Sequence, residues 1–195
     1  MHRAGADRTP PTAAHDAPER PTRYSIMFKL IALAALAATQ GSAARADAQR
    51  LDFTSLGKAR IGMSEQALAH ALGAPLTHVA PEAETGGCYY ASGHGLPDAV
   101  RLMMLDHRLA RIDVSASGVE TAAGVGVGTA EADVKRRYGD KLVEEPHAYT
   151  GPAGHYLTVQ SADGNDGIRF ETDGQAVTLF YAGTAKAIQY IEGCQ

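Results

Sequence analysis

The chain has 195 residues, with 18 lysines and arginines against 22 aspartates and glutamates and a formal net charge of −4. An acidic balance without a basic stripe argues against nucleic acid or an anionic membrane surface as partner. Two cysteines, no tryptophan and 45% apolar residues leave room for an ordinary globular core.

Residues 1–26 are rich in Arg, Pro, Ala and Asp without apolar periodicity, and read as disordered or as lying before the true start. Residues 27–46 have the layout of a secretory signal peptide. Lys29 precedes an apolar run from Leu30 to Ala38, and Ala44-Arg45-Ala46 supplies small residues before a cleavage site at Asp47. The run falls short of the roughly 20 residues a spanning helix needs. The expected product is periplasmic or secreted and does not span the membrane. Its charge is −7, because residues 1–46 remove six bases and three acids.

Next comes a helix-like stretch, Ile61 to Leu76, which returns at Val127 to Leu142 with a constant offset of 66 positions. Gly62, Glu65, Gly73 and Leu76 match Gly128, Glu131, Gly139 and Leu142. Ser64 and Thr129 are the expected N-caps, and Glu65 and Glu131 follow in the first turn, where the helix dipole favours a negative charge. Leu68 with Leu72, and Val134 with Tyr138, give each helix one apolar face. Gly73 and Gly139 are expected to close the helices in the left-handed conformation.

Strand patterns follow each helix. In the first half they are Cys88 to Ala91, Val100 to Leu105 and Leu109 to Ser115, with a tight turn at Asp106-His107. In the second half they are His147 to Thr150, His155 to Gln160, Ile168 to Thr172 and Gln175 to Tyr181, with a hairpin signal at Asp173-Gly174. Ala187 to Glu192 is expected to add an edge strand or to dock across the sheet. The reading is an α+β fold, two tandem helix-plus-antiparallel-meander units sharing a sheet. The first unit is residues 47–124 and the second is 125–195.

In an exported protein an even cysteine count implies a disulfide, Cys88 with Cys194; no CxxC spacing supports a redox or metal pair. Gly124-Val125-Gly126-Val127-Gly128 lacks the Lys-Ser/Thr ending of a phosphate loop and reads as a connector. His70, His78, His94, His107, His147 and His155 show no metal-ligand spacing. No serine sits in a nucleophile elbow, and the carboxylates lie singly. Catalytic residues, metal and cofactor are therefore expected to be absent, and the chain is not expected to be an enzyme. The tyrosines either cap a thin sheet core or form a recognition surface. For the second role Tyr90, Tyr149, Tyr156 and Tyr181 are the candidates, on a sheet face for which no cover was evident.

The helix opening Ile61-Gly62-Met63-Ser64 with Leu72-Gly73-Ala74-Pro75, the meander after it and their tandem repetition resemble the BamE-like and beta-lactamase-inhibitor-protein-like fold. The ending from Val177 to Gln195 is similar to small exported proteobacterial proteins described as lectin-like. The resemblance implies two sheets joined into a concave surface that grips a protein partner. It also implies a carbohydrate-binding module as the alternative. No contact residue of those families matches here position by position.

Overall fold

The computed structural model describes residues 49–79 and 86–194. The expected signal peptide, its cleavage site and residues 1–26 lie outside the described residues.

The described chain is mostly β, and this corrects the α+β expectation. It contains twelve strands in two sheets and only two helices, each eight residues long. The short strands β1 (Gln49–Leu51), β2 (Ser55–Leu56) and β3 (Ala59–Arg60) come first. Helix α1 (Glu65–Leu72) leads into β4 (Thr77–Val79), β5 (Cys88–Ser92), β6 (Val100–Leu105) and β7 (Arg108–Val114). After β8 (Val119–Thr121), helix α2 (Glu131–Tyr138) leads into β9 (Leu142–Pro146), β10 (His155–Gln160), β11 (Asp166–Thr172) and β12 (Val177–Thr184).

The large sheet has the order β4-β5-β6-β7-β12-β11-β10-β9, so two four-stranded meanders meet at the antiparallel pair β7–β12. That seam needs a glycine. A side chain at Gly183 would lie 2.2 Å from the carbonyl oxygen of Ala110. The smaller sheet, β3-β2-β1-β8, pairs β1 with β8 in parallel.

Residues directly opposite across a ladder share a face, and the two faces of the large sheet differ sharply. On the first, Leu102, Ile112, Ala182, Ile168 and Val159 form one row, and Val100, Val114, Phe180, Phe170 and Leu157 form another. Both helices and the small sheet pack there through Leu68, Val134, Leu51, Leu56 and Val119, all buried. On the second face, Arg101, Asp113, Tyr181, Arg169, Thr158 and Val143 stand in a row.

Several local expectations need correction. Ser64 caps α1 as expected, accepting the Ala67 amide, and Gly73 closes it with φ 82°. In α2 Ala130 occupies the cap position and makes no side-chain bond. Thr129 instead accepts the Gly126 amide at 3.0 Å, closing the connector into a turn. Gly139 has φ 55° and ψ −136°, outside the left-handed helical region, and a 3-10 turn follows. Residues 147–150 form a turn, not a strand, because the His147 Nδ1 accepts the amides of Tyr149 and Thr150 at 3.1 and 3.3 Å. The strand there is β9, whose Glu144, Glu145 and Pro146 discourage pairing along the exposed edge.

Candidate functional site

The second sheet face is covered in part, which corrects the expectation of a bare one. Residues 186–194 form a strap across it, beginning with a 3-10 turn at Ala187–Gln189. Ile188 is buried, and a side chain at Gly167 would lie 2.4 Å from its Cδ1. The far end is tied down by the disulfide Cys88–Cys194, with Cα atoms 5.3 Å apart, as the sequence implied.

Beneath the strap lies a polar network. Arg111 grips Asp113 with two bonds, Nε to Oδ1 at 2.7 Å and Nη2 to Oδ2 at 2.8 Å. Its Nη1 donates to the strap carbonyls of Ala187 at 3.0 Å and Tyr190 at 2.7 Å. The guanidinium lies 4.2 Å from the centre of the Tyr181 ring. Burial opposes the Arg111 charge, but the Asp113 carboxylate more than offsets it, and the pKa ends above the arginine range. Tyr90 accepts from Arg111 at 2.7 Å and donates to Asp113 at 3.0 Å. Burial, and then the Asp113 charge, push its pKa up.

The network continues through the second half. Tyr181 donates to Glu171 at 3.0 Å, and the His147 Nε2 lies 3.2 Å from the same carboxylate. The His147 ring stacks on Tyr156 at 4.4 Å. Arg169 donates to Thr158, Glu145 and Gln189 at 2.9, 2.7 and 2.6 Å. Arg169 thereby ties the strap to the edge strand.

These contacts sort the four tyrosines singled out above. Tyr156 and Tyr181 are 4% and 1% exposed, so neither offers surface to a ligand. Tyr90 is half-buried in the Arg111 network. Tyr149 is 61% exposed, and its hydroxyl donates to Glu192 of the strap. Val143, 59% exposed, stands on the second face of the edge strand β9, and Ile191, 39% exposed, lies on the strap and lines a cavity with Cys88. Nothing in the sequence pattern marked Val143 or Ile191, because their exposure depends on the path of the strap.

A second cluster lies on the helix side. Lys135 of α2 bridges Glu131 at 2.7 Å and Glu144 of β9 at 2.8 Å. His155 turns Nδ1 toward Glu131 at 3.0 Å and Nε2 toward Glu144 at 3.4 Å, and Thr172 donates to Glu131. Ligand atoms of Glu131, Glu144 and His155 lie within 4.8 Å of one another, so these three could hold a metal ion. One imidazole cannot offer both nitrogens to a single ion, and Lys135 already supplies the positive charge. The cluster is a closed ion-pair network.

Burial pushes the Glu131 pKa up, but bonds from Lys135, Thr172 and His155 prevail and hold it at about 2. The folded-state pKa is below the unfolded one, so the stabilisation is present above the ordinary glutamate range and lost as pH falls toward 2. Glu131→Gln should therefore flatten the fall in urea midpoint between pH 4.5 and 2. At neutral pH it should cost about 2 kcal/mol, the linkage value trimmed for solvent screening. An unchanged acid limb would refute the assignment.

The counterpart of Glu131 in the first half is Glu65. It accepts the Tyr89 hydroxyl at 2.6 Å and faces the His78 Nε2 at 3.1 Å. The Tyr89 bond does most to hold its carboxyl below the usual range. His78 stacks on Tyr89 at 4.6 Å, and His107 lies 6.1 Å from the same ring. These four side chains and the Gly86-Gly87 turn line a cavity of about 290 Å³.

No protein-family model matches the chain, and no curated protein matches it. Among solved structures, the uncharacterized protein yfeY from Escherichia coli is similar at a TM-score of 0.44 and 16% identity. The alignment covers 69% of this chain and 99% of that one. A likeness at that level assigns neither family nor activity. Among the described residues, no helix is long and apolar enough to cross a membrane.

Proposed function

We propose that the chain is an exported, non-enzymatic binding protein that engages a protein partner at the β9 end of its second sheet face. The observation that carries this reading is the exposure of Tyr149, just after β9, together with that of Val143 on the second face of β9. Large apolar side chains left in water at one place are the usual mark of a docking site. Tyrosine adds rigid area and a hydroxyl, the properties of an interface anchor. Glu192 on the strap accepts from Tyr149, and the chain is acidic with a formal net charge of −4, so a partner with a basic surface fits best. The charged groups of the second face described above are taken up by one another, which argues for recognition over catalysis.

A photo-crosslinking residue at position 149 of the exported protein is expected to give one discrete adduct, and the same residue at the exposed helix position 136 none. Tyr149→Ala should weaken the complex with the captured partner by roughly tenfold or more, with the thermal midpoint unchanged. Equal adducts from both positions would end the proposal. Glycan-array binding lost on Tyr149→Ala would replace it with the carbohydrate reading.

A further inference from the structure

The two helix-side clusters correspond position by position. The offset of 66 that relates Glu65 to Glu131 also relates His78 to Glu144 and Tyr89 to His155. In both halves the first-turn glutamate bonds the third of these positions; the second bonds Glu65 directly as His78, whereas Glu144 is joined to Glu131 through Lys135 and His155. The element roles agree as well: β4 with β9, and β5 with β10.

One member of the set is not repeated. Lys135, whose ammonium neutralises Glu131 and Glu144, corresponds to Ala69. Among the described residues Glu65 pairs with His78 and with no lysine or arginine, and the Tyr89 bond holds its carboxyl below the usual range. Beside these side chains the first half opens a cavity of about 290 Å³. Two aromatic histidines and a tyrosine wall it, and the strained turn at Asp106 and His107, with φ 49° and 60°, sets His107 at its rim. A carboxylate beside aromatic faces is a setting that favours a cation.

We infer that this cavity is a binding site for an alkylammonium group, delivered from outside the chain to the glutamate that Lys135 serves internally in the second half. The carboxylate already accepts one bond at each oxygen and has lone pairs left for an ammonium donor. The volume lies at the small end of ligand pockets, roughly 300 Å³ and upward, which suits a short aliphatic cation and not a large cofactor. A lysine side chain of a protein partner and a free aliphatic amine share this chemistry. The site is independent of the Tyr149 surface and lies in the other half of the sheet.

The test is a titration of the oxidised protein followed in amide nitrogen–proton spectra. The probes are n-pentylammonium chloride, N-acetyl-lysine-N-methylamide and, as the neutral control, n-pentanol. Both ammonium compounds are expected to produce saturable shifts at Gly87, Tyr89 and His107, and pentanol none. Glu65→Gln should weaken binding by about tenfold or more, the worth of one charge-assisted bond. Ala69→Lys should do the same by filling the site from within, four residues along the helix from Glu65. Ala69→Met, which adds length without charge, should leave binding intact and shows that the helix tolerates the substitution. Tighter binding of the lysine derivative would identify a partner's side chain as the source, and equal binding a free amine. Shifts as large with pentanol as with pentylammonium, or an Ala69→Lys protein that binds as well as its parent, would overturn the inference.

Discussion

Cys194→Ser is expected to lower the stability of the oxidised protein by about 2–5 kcal/mol, read as a drop in urea midpoint, with the slope rising as the uncrosslinked unfolded chain exposes more surface. The bond joins residues 106 apart, and closing a loop of that length is worth about 4–5 kcal/mol in the chain-entropy picture. The structure adds a local consequence that the chain-entropy picture lacks. Cys194 ends a strap whose other anchors are the two Arg111 bonds, the Arg169 bond to Gln189, buried Ile188 and, nearer the end, the Tyr149 bond to Glu192. All but the last, which is exposed, hold residues 187–190, so the cut should release chiefly residues 191–194. Amide exchange should then quicken at Gly193 far more than at Phe170 or Phe180 in the core. Cys88→Ser alone and the double substitution should match Cys194→Ser, because each removes the same crosslink. A single variant within about 0.5 kcal/mol of the parent, a typical surface effect, would contradict the argument.

What the sequence made legible was local. The alternation in residues 109–115 and the turn at Asp106-His107 located β6 and β7 to within a residue. Ser64 followed by Glu65 announced α1, because a cap and a first-turn acid act within one turn of chain. In the second helix the cap is Ala130, which no propensity favours, since Thr129 is drawn into the turn at Gly126. The small sheet was invisible for a related reason. Its strands are two or three residues long, too short to show a period of two, and β1 finds its partner at β8 about 70 residues away. The mostly β class is hidden there and in weight. Two clearly signalled eight-residue helices counted for more than twelve strands, several of them unsignalled.

The site was less legible than the fold. Tyr156 and Tyr181 do face away from the helices, as register allowed. They are nonetheless buried, because His147 and Arg169 crowd one ring and Arg111 the other. A strap held 76 and 79 residues downstream of its anchoring arginine cannot be inferred from alternation in a strand. The glutamate clusters were within reach. The offset of 66 that aligned the helices, carried 24 residues past Glu65, would have paired Tyr89 with His155. The offset is plain in the helix, where four identities mark it, and faint beyond it, where residue types differ.

Asp113→Asn is expected to destabilise the protein by about 3–5 kcal/mol, the cost of leaving a buried partner's charge uncompensated. Arg111 and Asp113 face each other on β7 under the strap, both nearly inaccessible, with two parallel bonds between them. Asparagine keeps the shape and one acceptor but removes the charge that keeps Arg111 favourable against its burial. The Tyr90 hydroxyl also loses its charged acceptor. Arg111→Met with Asp113→Leu removes both charges together and should recover much of the loss, since apolar pairs often replace buried ion pairs without penalty. The recovery should be incomplete in one measurable way. The carbonyls of Ala187 and Tyr190 lose the donor that holds them, so strap amides should exchange faster in the double variant than in the parent. If the double variant were as unstable as Asp113→Asn, the charge imbalance would not be the cause. The strap bonds made by Arg111 would then carry the stability, and the pair's role would be to latch residues 186–194 over the sheet.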